Sequence, residues 1–149
     1  MSTSTQEDSK WSKASLLIFS DTLKPEEITA RLGLIASTSH EKGASRLRVP
    51  IPWKNSLWGL QSTLGDHRNL ADHIQWLIDV IEPKADALKE LSKHCKVLVF
   101  CGFASQNGQG GFTLTPPILA RLAALNIPLS LDLYPPGPVG ETIQTEPAS

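Results

Sequence analysis

Cysteine is scarce: the chain has two, Cys95 and Cys101. The residues between them, Lys96 to Phe100, read as a strand. Extended at about 3.3 Å per residue, they hold the two sulfurs on the order of 20 Å apart, well past the roughly 7 Å limit for a disulfide. Cys-x-x-Cys and His-Glu-x-x-His spacings are missing, and the histidines at 40, 67, 73 and 94 show no paired-ligand pattern, so no metal site is expected. Two reduced, buried thiols agree with a cytosolic location. An excess of one charge is also lacking. Fourteen Lys and Arg face fifteen Asp and Glu, a formal net charge of -1, so there is no long-range attraction to nucleic-acid backbone or anionic lipid. No apolar run nears the roughly 18 residues of a membrane span, and Met1 to Lys10 lacks the apolar stretch of a secretion signal. Nucleic-acid binding and membrane association are therefore not expected. Nor is a cofactor, because no GxxxxGK[ST], GxGxxG or GxSxG pattern occurs.

The chain has 149 residues, 40% of them hydrophobic and 19% charged, which suits one domain with a self-sufficient core. Residues 1–12 are polar, and residues 135–149 (PPGPVGETIQTEPAS) carry no periodic apolar pattern. Both ends are expected to be disordered. This leaves a single α/β domain over residues 13–134.

Within it, Ala14 to Ser20 (ASLLIFS) reads as an interior strand. A helix follows, with Pro25 at its first position, Glu26 and Glu27 at its positive end, a Leu23–Ile28 hydrophobic staple, and Gly33 closing it. Arg46 to Ile51 alternates with period two, and Pro50 confines any strand there to an edge. Leu57 to Ser62 is a clearer strand, expected to pair with that predecessor. Leu70, Ile74, Leu77, Ile78, Ile81 and Leu88 keep helical phase, with a kink or a new start at Pro83. Trp76 lies off the centre of this stripe, at the edge of the core. Lys96 to Phe103 is apolar on both faces, as in a central strand. Thr115, Pro116 and Pro117 open a helix that Asn126 ends. Leu129, Leu131 and Leu133 then give a strand with one buried face. The order predicts an α+β fold: a ferredoxin-like β-α-β-β-α-β core with an added α-β unit, helices mainly on one face of a mostly antiparallel sheet of about five strands.

Several segments together resemble the uncharacterised bacterial family known as domain of unknown function 4279. They are FSDTLKPEEITARLG, SHEKG followed by SLWGLQS, HIQWLIDVIEPKADAL, and GQGGFTLTPPILARLAALNIPLSLDLY. Together they cover most of Ser15 to Tyr134. The resemblance implies a small bacterial cytosolic α/β protein and brings no catalytic residues with it.

Few groups could carry chemistry. The most basic stretch runs from His40 to Lys54. It holds Lys42, Arg46, Arg48 and Lys54 with His40 against the single acid Glu41, and Trp53 and Trp58 lie near it. It reads either as a cation-plus-aromatic surface for an anionic ligand, a nucleotide or an acidic protein, or as a solvated edge that deters aggregation. The Gly-rich turn 107–111, with Gln109, Gly110 and Gly111, sits between a strand and a helix, where phosphate-cradling loops occur. Pro116 and Pro117 remove two of the amide donors such a loop would use, and a flexible turn or β-bulge is the plainer reading. Asp21 and Asp132 could act as an acid–base pair only if the fold joined them, and Asp21 reads more simply as a turn residue. No convergent set of catalytic groups is legible. The expected function is a small non-catalytic binding or protein-interaction module, with an immunity-like role as one form of it. The alternative is a binder of, or enzyme on, a small ligand or phosphometabolite, sited where the basic loop and the Gly-rich turn would converge.

Overall fold

The computed structural model describes residues 10–46, 51–105 and 111–134. The two tails, the segment 47–50 and most of the Gly-rich turn lie outside this set. Five strands form one sheet: β1 (Lys10–Ser20), β2 (Thr38–His40), β3 (Ser56–Gln61), β4 (Lys96–Ser105) and β5 (Leu129–Tyr134), in the order β2-β3-β1-β4-β5. β2 with β3, β3 with β1, and β1 with β4 are antiparallel, while β5 adds parallel to β4. The fold is thus mixed α+β on a mostly antiparallel sheet.

Strand β1 organises the molecule because its alternation is strict. Ala14, Leu16 and Ile18 are wholly buried, while Lys13, Ser15, Leu17 and Phe19 between them are half-buried, so successive side chains serve opposite faces. The buried set meets the helices: α1 (Pro25–Leu32) through Ile28 and Leu32, α2 (Leu70–Ile81) through Leu70, Ile74, Leu77, Ile78 and Ile81, α3 (Ala85–Ser92) through Leu88 and Leu91, and α4 (Pro116–Leu125) through Ile118 and Leu122. Trp76 packs at the margin of this core, as its position on the stripe predicts.

Local chemistry sets the helix ends. In α1 the Lys24 amide donates to Glu27 Oε1 at 2.8 Å, Leu23 packs on the core near Ile28, and Gly33 takes φ 72°, a left-handed turn that glycine makes without a Cβ penalty. Pro83 lacks the amide that would continue α2, so a single 3-10 turn (Glu82–Lys84) separates α2 from α3. Pro116 and Pro117 occupy the first turn of α4, where an amide would have no partner, and Asn126 closes it at φ 57°.

Three expectations change. β1 begins at Lys10 rather than Ala14, so residues 10–12, assigned to the tail, pair with β4. A polar residue at a buried position hides the pattern, because Ser12 is buried with its hydroxyl satisfied: its Oγ–H donates to the Arg68 carbonyl at 2.6 Å. The partner of β3 is Thr38–His40, while the segment 46–51, expected to pair there, lies mostly outside the described residues. β2 is a short, mostly exposed edge with no apolar alternation to reveal it. Finally, the face of β5 expected to be buried is largely open, with Leu131 39% and Leu133 62% exposed, since of these three leucines only half-buried Leu129 packs against the core.

Candidate functional site

The helices cover one face of the sheet, and at one end of the other face lies a cleft of about 690 Å³. Its floor follows from strand register. His40 pairs with Leu57, Leu57 with Phe19, and Phe19 with Lys96, so one row of side chains crosses β2, β3, β1 and β4, and all four line the cleft. Leu57 and Phe19 belong to the face opposite Trp58 and Ile18, and this parity places them here rather than in the core.

The walls come from the ends of elements and from the loop after β2. That loop folds back on itself: the Gly43 amide donates to the Trp53 carbonyl at 2.8 Å, and the Trp53 amide donates to the Ala44 carbonyl at 3.1 Å. Gly43 makes the reversal at φ 85°, a conformation that disfavours a side chain. The closure sets the Trp53 ring against His40, with ring centroids 3.7 Å apart and planes 10° from parallel, and brings the Arg46 guanidinium 4.2 Å from the Trp53 ring centre. Burial, with Arg46 adding to it, lowers the His40 pKa, while the Asn55 carbonyl opposes the shift; the ring is therefore neutral near pH 7. Asp21, just past β1, accepts a hydrogen bond from the Asn55 amide nitrogen at 3.3 Å.

The electrostatics are one-sided. Arg46, Lys54 and Lys96 line the cleft with His94, and Asp21 is the single acid among the lining residues. None of the three cations forms an ion pair among the described residues. Arg46 Nε is also buried with no hydrogen-bond partner there, and a buried donor left unmade costs about 1 to 3 kcal/mol. Some cations elsewhere are neutralised: Arg121 on α4 bonds Glu82 and Asp79 at 2.8 Å each, which raises its own pKa and holds the Glu82 carboxyl below its ordinary range. Unpaired positive charge beside apolar and aromatic surface is suited to holding an anion.

The residues singled out in the sequence are divided by this geometry. His40 and Arg46 meet in the cleft, joined by Trp53 and Lys54. Lys42 is exposed in the neighbouring turn and is not part of the lining. Trp58 is wholly buried on the helix side, its Nε1–H donating to Thr29 Oγ1 at 2.9 Å, so it is a core residue and not a ligand surface. Arg48, Gln109 and Gly110 lie outside the described residues. Gly111 is exposed, and the adjoining Phe112 packs on Phe103 at 5.5 Å. Phe103 lies about 23 Å along β4 from Lys96 at the usual rise. Gly111 and the basic loop therefore do not converge. Asp21 and Asp132 stay apart as well, since Asp132 on edge strand β5 pairs with Gly102, about 20 Å along β4 from Lys96 at the usual rise.

Sequence reasoning missed Phe19, Leu57 and Lys96 as lining residues because each reads as ordinary strand. The available signal was parity: they fall out of phase with the buried set at strand ends facing the basic loop. Among the described residues no three His, Cys, Asp or Glu side chains gather as a metal site would need, and no helix is long and apolar enough to cross a membrane. Comparison with curated proteins and with solved structures finds no match. The family model described as "Domain of unknown function (DUF4279)" matches residues 9–136, nearly the whole chain and all five strands, and the chain belongs to that family.

Proposed function

We propose that this is a binding module whose cleft takes a small anionic ligand. The observation that carries the reading is the convergence of Arg46, Lys54 and Lys96, all without ion pairs among the described residues, on one apolar-floored cleft with a single acid. Its volume of about 690 Å³ falls in the roughly 300 to 1,000 Å³ range of small-molecule sites. Trp53 gives the cationic wall rigidity, because the ring that stacks on His40 also holds the Arg46 guanidinium. With Arg46 so placed, an arriving anion would supply the partner its Nε lacks.

The direct test is a thermal-shift and calorimetric screen with inorganic phosphate, nucleotides, sugar phosphates and small carboxylates. A ligand at 100 times its Kd adds about 2.7 kcal/mol to stability, a readily seen shift. Binding should weaken with salt and fall at least about tenfold in Arg46→Gln, the loss of roughly 1.4 kcal/mol expected for a charge-assisted bond. No shift from any anion would end the proposal. A protein-interaction role draws on the same cations, which would take acidic side chains of a partner. It separates from the first reading if small anions leave the protein unchanged while an acidic protein or peptide is retained in a salt-sensitive way.

We also infer that the elements from β1 to β4 form a ferredoxin-like core, with α2 and α3 together as its second helical segment, extended by α4 and β5. Support comes from the run β2, β3, β1, β4 with antiparallel neighbours throughout. A bacterial cytosolic setting follows the family resemblance and the two free thiols.

A further inference from the structure

Two of the three cations of the cleft, Arg46 and Lys96, mark opposite ends of its floor, with Lys54 also in the lining, and this specifies more than a generic anion. Across the floor the row reads His40, Leu57, Phe19, Lys96, one residue from each of four adjacent strands. Three strand spacings of about 4.8 Å put the first and last backbones on the order of 14 Å apart. At the β2 end the charge is Arg46, held against the Trp53 ring that stacks on His40; His40 itself is kept neutral. At the β4 end the charge is Lys96, with His94 beside it in the lining. Between them the floor is the apolar pair Leu57 and Phe19. A compact anion such as inorganic phosphate can satisfy one end at a time. It leaves the other cation unpaired and wets the apolar floor, forgoing the roughly 25 cal/mol per Å² that burying that floor would return.

Resting on the anion-binding reading above, we propose that the ligand carries two anionic groups at opposite ends of an apolar body, one group meeting Arg46 and the other Lys96, with the body over Leu57 and Phe19. Such a ligand uses both cations and the floor together. The two-ended arrangement also sets a length preference, because a body too short cannot reach both charges and one too long must buckle. The divided charge discriminates against one-headed amphiphiles, which leave Lys96 or Arg46 without a counter-ion.

The test uses the full chain with linear dicarboxylates from succinate to sebacate, each compared with the monocarboxylate of equal length, and with inorganic phosphate as the compact anion. Kd is read by calorimetry at fixed low salt. The expected result is an optimum at an intermediate length, where the dicarboxylate binds at least about tenfold more tightly than its monocarboxylate. Lys96→Gln, at an exposed position, should reduce that advantage to less than about twofold. If phosphate and monocarboxylates bind and the second carboxylate adds nothing at any length, or if Lys96→Gln keeps the full advantage, the two-ended ligand is refuted while the anion site stands. If none of these compounds binds, both readings fall.

Discussion

Substituting Trp58 by Phe separates the core from the cleft, because Trp58 and Trp53 lie only a few residues apart in the chain yet do unrelated work. Trp58 is fully buried and its indole N–H donates to Thr29 Oγ1 at 2.9 Å, tying β3 to α1. Phenylalanine removes that bond, worth about 1 kcal/mol net for neutral partners. It also removes part of a close-packed ring, and the lost contacts and residual cavity add roughly 1 to 2 kcal/mol. The sum is about 2 to 3 kcal/mol, a large share of the roughly 5 to 15 kcal/mol that holds a domain folded. For a domain of this size each kcal/mol lowers Tm by about 4 °C, so a fall near 10 °C is expected. Differential scanning calorimetry measures it directly, and ligand binding to the folded variant should be unchanged. Trp53→Phe should behave in the opposite way, with a Tm close to that of the parent and weakened anion binding. A Trp58→Phe protein melting within about 2 °C of the parent would refute the placement of this indole in the core, as would equal loss of binding in both variants.

Three further outcomes follow from buried groups. Burial and the nearby Lys13 charge lower the pKa of His73 from its ordinary 6.5, and its Nδ1 lies 2.8 Å from Ser62 Oγ in the core. The unfolded chain then takes up the proton more readily than the fold. The stability that a neutral ring supplies is full above about pH 6.5 and lost as pH falls below it. Urea midpoints between about pH 8 and 5.5 should drop more steeply in the parent than in His73→Gln; parallel profiles would refute this. Burial pushes the Cys101 thiol up to about 12, whereas Cys95 is partly exposed, so a thiol reagent should modify Cys95 alone in the native protein and both in urea, and rapid native labelling of a Cys95→Ser variant would contradict it. A Cβ on Gly59 would lie 2.8 Å from Thr38 Cγ2 and 3.2 Å from Leu17 Cδ2. Gly59→Ala should therefore cost about 1 to 3 kcal/mol by overpacking, and adding Thr38→Ala should recover part of that in a double-mutant cycle; additive losses would show that the contact is not the cause.

Local sequence is sufficient where one residue's covalent chemistry decides the outcome. The apolar run of β1, the helical phase of α2, the break at Pro83, the left-handed closures at Gly33 and Asn126, and the proline start of α4 are all legible because periodicity and backbone preference act over a few residues. The cleft is legible only in part. His40, Arg46 and Trp53 stand out as a basic and aromatic stretch, but nothing local distinguishes Trp53, which faces the cleft, from Trp58, which is buried. Strand parity makes that distinction, and parity has meaning only once β3 is registered against β1.

What the chain alone determined is where the helices and the strands other than β2 fall, to within a few residues, and that one end of the second quarter is rich in cations. Tertiary structure decided that Lys96 and Phe19, each in a different part of the chain, share a row with Leu57 and His40, and that Gly111 lies at the far end of β4 from them. The physical reason is that pairing between strands fixes neighbours by hydrogen-bond register across long sequence separations, while propensity and periodicity extend only a few residues.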